Sequence, residues 1–421
     1  MYFIFYILYF LFLILENIFN LIKVIHLMKY VLIVFDGMAD IPDNFEDKKT
    51  PLMVAHTPSL DVLSKSALIG TVRTAPEGMY PGSDIANMGI LGYDQRKYYK
   101  GRGSIEASSL GIKMNQTDVA YRLNLISTDG EIMLDSTADH ITDEEARELI
   151  EFLNEKLATE SYEFYPGVSF RNIMILHNGS MNVTLKPPYQ FVGERLDAYK
   201  PQGDFADLFW DLICRSYELL DNHPVNIKRR EEGKLPANQI WFWAEGMLAS
   251  FPTFKEKYGK TGCVVAGVDL IKGIGKMTGM DVPSVPGATG YIDTDYLSKA
   301  SVACNNLDNH DFVMVHVEAP DEAGHAKLLD EKIKAIENID KIILNAILVK
   351  LSIIGEDYRI LCLPDHPTPV ATGAHDPTPV PFLLYDSANS QNEDNIAFNE
   401  IDAKRGVFLD SSLKLMDLLF E

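Results

Sequence analysis

The sequence predicts an α/β fold, a mostly parallel sheet with helices on both faces, into which a small α+β domain is inserted. Short apolar runs at residues 30–35, 312–317 and 359–363 are rich in Val, Ile and Leu and end at turn signals. Such runs are typical of parallel strands that are buried on both faces. A change of pattern between about residues 112 and 238 indicates the inserted domain.

An acidic residue follows each of the three runs. Asp36 comes directly after the first run, Asp321 soon after the second, and Asp365 after the third. The ligand site of an open α/β sheet lies beyond the carboxyl ends of its strands, so these carboxylates should meet at one edge. A single aspartate after a strand would carry little weight, because it often only caps the next helix.

Histidines accompany these acids. His325 lies four residues after Asp321, His366 follows Asp365, and His375 lies in a Pro-rich stretch just beyond. Carboxylates and imidazoles that converge on one spot suit divalent metals, and about seven mixed ligands suit a two-metal cluster. The sequence therefore predicts a metal site at this edge of the sheet.

Two helix starts are predicted before residue 90. Thr57 would be an N-cap, with Pro58 at the first helical position. The Pro-Gly-Ser-Asp turn at 81–84 opens a second helix, and a helix N-terminus favours an anion. Ser83 could therefore attack a phosphate whose oxygens the backbone holds, although a serine in this position is more often a cap.

The inserted domain is predicted from strands mixed with helices. Its predicted elements are an alternating strand at 118–124, a helix that a capping box at Thr142 and Glu145 opens and that runs to Leu157, a strand at 168–176 and a helix at 207–220. The parallel-sheet pattern then resumes at 263–269 and continues to 381–385, with an amphipathic crossover helix at 331–351.

These patterns divide the chain into domains. Residues 28–112 and 238–421 form the predicted metal-binding domain, and residues 113–237 form the inserted domain. Residues 1–27 are an apolar extension whose uncharged run is shorter than the roughly 20 residues needed to span a bilayer. They also lack the features of a cleaved signal peptide. We therefore expect an upstream extension, with Met28 as an alternative start, and keep a membrane anchor as the alternative.

The composition limits which partners the protein can bind and indicates the cellular compartment in which it works. The 421 residues carry a net charge of −22, which argues against nucleic acid as a partner because its backbone would be repelled. The four cysteines show no CxxC spacing, so no disulfide framework is indicated and a reducing cytoplasm fits best. The oligomeric state is left open.

Taken together, the motifs resemble those of the archaeal-type cofactor-independent phosphoglycerate mutases, a branch of the alkaline phosphatase superfamily. The resemblance runs from Lys29 nearly to the C-terminus. It rests on motifs at residues 35–37, 81–84, 91–94, 101–103, 165–171, 269–275, 318–325 and 364–366.

The resemblance implies a role for each matching position. Ser83 would be the nucleophile that accepts the phosphoryl group as phosphoserine, and Asp84 would contact the substrate. The implied ligands are Asp321, His325 and His375 for one divalent metal, and Asp36, Asp365, His366 and the Ser83 oxygen for the other. Manganese is the expected ion, with magnesium and zinc as alternatives.

The expected substrate is a small phosphorylated metabolite, and a mutase must keep the dephosphorylated acceptor bound. That requires a closed chamber between two domains in which basic groups grip the acceptor. Arg122 and Arg171, on adjacent strand-like segments of the insertion, are the candidates. Lys272, at the end of a strand of the metal-bearing domain, is a further one. The alternative for each arginine is a surface salt bridge.

The chain departs from the family pattern in the insertion. It reads Pro-Pro-Tyr-Gln at 187–190, where many members carry a His-Asp pair, and Ala-Asp-His at 138–140, where Ala-Gly-Arg is usual. The metal and nucleophile set is intact. The predicted activity is therefore the interconversion of 3- and 2-phosphoglycerate by an isomerase.

Three alternatives stay open. The first is a homoserine kinase-like branch of the same family, suggested by the stretches at 223–226 and 240–246 and using the same serine and metals. The second is a plain metallophosphatase. The third is a binding module without catalysis, which would predict the loss of Ser83 or of a ligand. A P-loop kinase is not indicated, since no Walker motif is present.

Overall fold

A computed structural model describes residues 28–389 and 395–421. The predicted extension at 1–27 lies outside the described residues. No helix within the described ranges is both long enough and apolar enough to cross a membrane.

The described residues form fourteen strands. In chain order they are β1 (Met28–Phe35), β2 (Leu68–Val72), β3 (Val119–Thr128), β4 (Met133–Asp135), β5 (Tyr162–Val168), β6 (Arg171–Leu176), β7 (Val183–Thr184), β8 (Gln202–Gly203), β9 (Gln239–Met247), β10 (Gly262–Val265), β11 (Phe312–Val317), β12 (Asp357–Leu363), β13 (Val380–Asp386) and β14 (Val407–Leu409).

Helices connect these strands. The α-helices are α1 (Pro51–Val54), α2 (Pro58–Ser64), α3 (Ser83–Ile90), α4 (Gln95–Tyr98), α5 (Arg102–Ser109), α6 (Asp143–Leu157), α7 (Ala206–Leu220), α8 (Pro224–Glu231), α9 (Phe254–Tyr258), α10 (Asp269–Met277), α11 (Tyr296–Asn306), α12 (Ala319–His325), α13 (Leu329–Asn338), α14 (Asn345–Ile354) and α15 (Leu415–Phe420). Shorter 3₁₀ turns lie at Pro42–Asn44, Pro188–Gln190, Leu196–Tyr199, Asp402–Arg405 and Ser412–Lys414.

The chain divides into two compact units. The first contains the described residues up to 92, together with 254–267 and 281–421. Its seven-stranded sheet has the order β10-β11-β1-β12-β13-β2-β14. β10, β11, β1 and β12 are parallel neighbours, which confirms the three predicted parallel strands and the mostly parallel α/β fold.

The strand predicted at 381–385 is present as β13, but it is not parallel. It pairs antiparallel with β12 and with β2. No helical crossover separates β12 from β13, because only loop structure lies between residues 363 and 380. Parallel neighbours need a long crossover connection, usually a helix, and this connection supplies none. The expectation of a parallel strand here was wrong.

The crossover helix predicted at 331–351 is a helical run with a break in it. α13 and α14 are separated by a π-helical turn at Ile339–Leu344. Within this turn the buried Asp340 accepts hydrogen bonds from the backbone N–H groups of Ser59 and Leu60, at 3.1 and 2.8 Å. These two residues lie in the first turn of α2. Thr57 lies at the predicted N-cap but makes no capping side-chain bond, so Asp340 caps α2 in its place.

The second unit contains residues 93–253 and 268–280. Its sheet has the order β4-β3-β6-β5, and β9 also pairs with β3. This unit is wider than the 113–237 predicted for the insertion, because β9 extends its sheet and α10 packs on α5. The packing of those helices is close: a Cβ at Gly273 would lie 2.0 Å from the Ile105 carbonyl oxygen.

Several elements of the second unit follow the sequence patterns. The capping box between Thr142 and Glu145 is present and opens α6, as predicted. β3 is buried at every residue instead of alternating, because Tyr121 packs into one apolar core and Ala120 into another. The strand predicted at 168–176 is two strands, β5 and β6, joined by a turn in which Ser169 has φ of 54°.

A buried ion pair links two loops of the first unit. The Lys332 ammonium donates to Asp40 Oδ2 at 3.2 Å and to the carbonyls of Ala39 and Thr368 at 3.1 and 2.8 Å, and both charged side chains have no solvent exposure. The loops it joins follow β1 and β12. Because Lys332→Met would leave Asp40 charged and buried, we expect it to lower the free energy of unfolding by about 3–5 kcal/mol, measured by urea denaturation.

The matched control is Lys48→Met. Lys48 pairs with Asp43 at 2.9 Å on the surface, where the two side chains are 66% and 80% exposed. Exposed pairs contribute little, so this variant should unfold at nearly the wild-type urea concentration. Equal effects of the two substitutions would contradict a structural role for the buried pair.

Candidate metal centre

Three loops bring acidic side chains to one edge of the sheet in the first unit. Asp36 follows β1, Asp365 follows β12, and Asp321 lies in the first turn of α12, directly after β11. The loops approach closely: a Cβ at Gly37 would lie 2.5 Å from Asp321 Oδ1. Gly37 also has φ of +62°, so only glycine satisfies this position without strain.

Asp321, His325 and His375 form a first group. His325 Nε2 lies 3.1 Å from Asp321 Oδ2, and His375 Nε2 lies 3.5 Å from Asp321 Oδ1. The opposite ring nitrogens, both Nδ1, face the carbonyl oxygens of Gly373 and Pro81, at 2.8 and 3.1 Å. Metal-binding histidines usually donate their second N–H in this way, and that bond fixes the ring so that Nε2 points at the metal.

The donor atoms of the first group favour a cation among them. If each Nδ1 carries a hydrogen for its carbonyl, both Nε2 atoms present lone pairs, and these two atoms are 3.0 Å apart. Two facing lone pairs repel each other unless a proton or a metal ion lies between them. With the Asp321 carboxylate alongside, the donor set suits a divalent metal.

Asp36, Asp365 and His366 form a second group, and all three are buried. His366 Nε2 lies 3.5 Å from Asp36 Oδ1 and 3.6 Å from Asp365 Oδ2. Asp365 is held by three donors: the backbone N–H groups of Gly37 and His366 and the amide of Asn87, at 3.2, 3.0 and 2.8 Å.

Asp36 is the side chain that most clearly lacks a partner. Its Oδ1 is buried and accepts no hydrogen bond from the described residues. Burial, and then the nearby carboxylates of Asp365 and Asp321, raise the pKa of Asp36 well above its ordinary value. A bound cation would satisfy the orphaned oxygen and offset the repulsion, so these residues fit a divalent metal.

Ser83 lies beside the second group, as the first residue of α3. Its Oγ is 3.1 Å from His366 Nε2. On the other side of the His366 ring, Nδ1 lies 3.2 Å from Thr368 Oγ1, and that hydroxyl donates a short hydrogen bond to Asp321. If Thr368 donates to Asp321, it can only accept from Nδ1–H. The Nε2 lone pair then faces the Ser83 hydroxyl.

The structure thus brings together the seven predicted metal ligands of the first unit. Asp84, the next residue of α3, bonds its own helix, since Asp84 Oδ1 accepts from the Ile85 N–H at 2.9 Å. Five further side chains lie around this set, although the sequence pattern did not single them out as site residues: Asn87, His316, Glu318, Lys299 and Thr368. One signal was available: His316 is a polar residue inside an otherwise apolar strand, followed two residues later by Glu318.

The second unit holds a separate basic cluster. Arg122, on β3, is only 4% exposed, and its Nε lies 2.9 Å from Glu106 Oε2 without the alignment of a hydrogen bond. Arg102 Nε donates to the other oxygen of Glu106 at 2.7 Å. The guanidinium of Arg122 lies 4.2 Å from the centroid of the Trp243 ring. Arg102 and Trp243 line a cleft of about 780 Å³.

The other predicted substrate residues also lie in this unit. Arg171 is on β6, which pairs with β3, so the two arginines are on adjacent strands; Arg171 is exposed. Lys272 does not lie at the end of a strand of the metal-bearing domain. It is in α10, within the second unit, 3.6 Å from Asp269. The expectation placed it wrongly because residues 268–280 leave the first unit to pack on α5.

Comparison with known proteins identifies the family. The family model for 2,3-bisphosphoglycerate-independent phosphoglycerate mutase matches residues 64–226. The enzyme of that name from Methanosarcina barkeri is 46% identical over 380 residues, which cover 90% of this chain and 96% of the relative.

Solved structures agree. The cofactor-independent phosphoglycerate mutase of Thermoplasma acidophilum is 26% identical with a TM-score of 0.62, covering 93% of this chain and 98% of that one. The PH0037 protein of Pyrococcus horikoshii is 27% identical with a TM-score of 0.79, covering 93% and 96%. The chain therefore belongs to the 2,3-bisphosphoglycerate-independent phosphoglycerate mutase family.

Proposed function

We propose that this protein is an isomerase that interconverts 3-phosphoglycerate and 2-phosphoglycerate through a phosphoserine on Ser83. The observation that carries the proposal is the placement of Ser83. Its hydroxyl lies at a helix N-terminus, 3.1 Å from His366 Nε2, beside a buried group of carboxylates and imidazoles. Membership of the family supports the same substrates, which are small phosphorylated metabolites.

The proposed ligands keep the two groups described above. Asp321, His325 and His375 would hold one divalent ion, and Asp36, Asp365, His366 and the Ser83 oxygen would hold the other. Manganese is the ion we propose, because mixed imidazole and carboxylate ligands with open positions accept it. When bound, the metals would supply charge that stabilises the alkoxide of the serine and the phosphoryl oxygens.

The chain's own residues supply the positioning. Burial lowers the pKa of His366, so its ring is neutral and its Nε2 lone pair is available to a metal ion beside the Ser83 oxygen. The Ser83 hydroxyl loses its proton as Oγ forms a bond to the phosphorus, and the substrate oxygen takes up a proton as its bond to phosphorus breaks. The other hydroxyl of the bound glycerate then loses its proton and takes the phosphoryl group, and Ser83 regains its hydroxyl hydrogen. The N-terminal end of α3 favours the phosphoryl charge throughout.

The second unit is our proposed substrate domain, in which basic side chains grip the glycerate. Burial by itself would raise the pKa of the Glu106 carboxyl. The positive charges of three arginines outweigh that effect and lower this pKa; they are Arg122, Arg102 and Arg171. Burial lowers the pKa of Arg122 to about 9, which still leaves it charged at neutral pH. The excess positive charge suits a carboxylate or a phosphate. We propose Arg122, Arg171, Lys272 and Asp84 as substrate-binding residues.

The direct test is an assay with purified protein and manganese. Formation of 2-phosphoglycerate from 3-phosphoglycerate without added bisphosphoglycerate is the expected result. Release of free phosphate alone would instead indicate a phosphatase. If phosphohomoserine, made from homoserine and ATP, were the only product, the proposal would be wrong. We also propose that this protein works in the reducing cytoplasm, as its cysteines indicate.

Arg122→Met tests the substrate domain. It removes a charge that lies over Trp243 but keeps the apolar stem, and Glu106 keeps its bond from Arg102, so the fold should survive. Because hydrogen bonds to charged groups are typically worth about 1.5–3 kcal/mol, we expect KM for 3-phosphoglycerate to rise by roughly 10- to 100-fold. Initial rates over a range of substrate concentrations measure this.

Arg195→Met is the matched control in the same unit. Arg195 pairs on the surface with Glu131 and Asp197, at 2.6 and 3.0 Å. Its replacement should leave KM unchanged. An unchanged KM in Arg122→Met would mean that this arginine only pairs with Glu106 and does not bind the acceptor.

A further inference from the structure

His316 has no role in the function proposed above, although it lies at the centre of the first unit. It is the fifth residue of β11, and its side chain is completely buried. Its neighbours in the strand are apolar. An imidazole in such a place must be held by polar partners on both nitrogens, because an unsatisfied buried polar atom is costly.

The Nδ1 side of the ring is fully accounted for. His316 Nδ1 lies 3.2 Å from Glu318 Oε1, and the other oxygen of this carboxylate accepts from the Lys299 ammonium at 2.7 Å. Lys299 also donates to the His316 carbonyl at 3.1 Å, and its side chain has no exposure. A carboxylate held by a buried cation is an acceptor, so Nδ1 carries a hydrogen, and in the neutral ring Nε2 then presents a lone pair.

That lone pair lacks a well-formed hydrogen bond within the described part of the chain. The donor recorded beside it there is Asn87 Nδ2, at 3.4 Å. This amide already donates to the Ser83 carbonyl at 2.9 Å and to Asp365 Oδ2 at 2.8 Å. An amide nitrogen has two hydrogens, and both are used in these shorter bonds. His316 Nε2 is therefore a buried acceptor for which Asn87 has no hydrogen left.

The acceptor points at the second group of proposed ligands. His316 Nε2 lies 3.6 Å from Asp36 Oδ2 and 3.9 Å from Asp365 Oδ2. These separations exceed the roughly 2.7–3.2 Å of an N–H···O hydrogen bond. They are close to the roughly 3.0–3.6 Å that separates neighbouring ligands of a five-coordinate ion with bonds of about 2.1 Å.

His366 offers a direct comparison. Its Nε2 lies 3.5 and 3.6 Å from oxygens of the same two carboxylates, and it stands among the ligands proposed above. His316 approaches the pair from β11, at almost the same distances. It also has the carboxylate partner on Nδ1 that metal-binding histidines commonly have.

We propose that His316 Nε2 is a ligand of the metal ion held by Asp36 and Asp365. The Glu318–Lys299 pair behind it is the support that fixes the tautomer and orientation of the ring. This inference rests on the proposed function in one respect: it assumes that a metal ion binds at the second group.

Crystals of the full chain loaded with Zn²⁺ test the proposal without any substitution. The expected result is an anomalous peak at the second group about 2.0–2.1 Å from His316 Nε2. A peak at Asp36 and Asp365 that lies more than about 3 Å from this nitrogen would overturn the inference and leave the proposed function standing. If the wild-type protein bound no metal, both this inference and the proposed function would be wrong.

His316→Gln measures the contribution in solution. Support residues alone typically change metal affinity by about 10- to 100-fold, so loss of the ligand should weaken one of the two Mn²⁺ sites by about 100-fold or more. Isothermal titration calorimetry with Mn²⁺ reads this independently of activity. His310→Gln is the control, since His310 is also nearly buried and paired with a carboxylate, Asp281, at 2.8 Å.

Glu318→Gln distinguishes the effect of orienting the His316 ring from the effect of the proposed bond between His316 and the metal. Glutamine can still accept from Nδ1–H but lacks the charge, so Mn²⁺ affinity should fall by about tenfold, less than in His316→Gln. Circular dichroism checks that both variants fold. If both fold and bind two ions with wild-type affinity, the inference is wrong; if neither folds, the wild-type zinc crystals decide.

Discussion

The Ser83→Ala variant is expected to lose mutase turnover by at least about 10⁴-fold, as the removal of a catalytic nucleophile typically does. Among the residues that the structure describes, Ser83 Oγ is the hydroxyl that lies 3.1 Å from His366 Nε2 at the start of α3, so its loss should not be replaced. Alanine continues a helix well, so the fold should be unaffected. The change therefore separates chemistry from stability.

Two measurements check this result. The rate of 2-phosphoglycerate formation gives the loss of turnover, and intact-mass spectrometry after an acid quench should find a phosphoryl group on the wild type but not on the variant. Ser298→Ala is the control, since Ser298 also lies in the first turn of a helix of the same unit, bonded to Asp295 at 2.8 Å. A Ser83→Ala rate near that of the wild type would rule out a phosphoserine at this position.

The sequence was sufficient to predict the centre of the sheet and the residues around it. β1, β11 and β12 are short apolar runs, because a strand that is buried on both faces consists almost entirely of apolar residues. Because the carboxyl ends of parallel strands share one edge, the sequence pattern also predicts that Asp36 and Asp365 meet there. Local sequence patterns were therefore enough to predict these strands and the acidic side chains that follow them.

What could not be predicted depends on contacts distant in sequence. β13 has the composition of its parallel neighbours, and only its connection makes it antiparallel. Lys272 follows a strand, yet its helix packs on α5, more than 160 residues earlier in the chain. The role proposed for His316 depends on Asn87, Asp36 and Asp365, which lie on other elements and far away in sequence.

The second large effect is expected for Asp365→Asn. This carboxylate is completely buried, and it accepts on Oδ1 from the N–H groups of Gly37 and His366 and on Oδ2 from Asn87. An asparagine must place its NH₂ on one of these two sides. In either orientation a donor then faces a donor, so the substitution removes a negative charge and also misplaces the remaining oxygen.

Metal binding at the second group should therefore weaken by more than about 100-fold, since the loss of a mere support residue costs 10- to 100-fold. Turnover should fall with it at low Mn²⁺ concentration, and the two losses are measured by calorimetric titration and by initial rates. Asp386→Asn is the control, because Asp386 is also buried but pairs with Arg359 at 2.9 Å. If Asp365→Asn kept two tightly bound ions, the carboxylates at this edge of the sheet would serve the fold and not the metal.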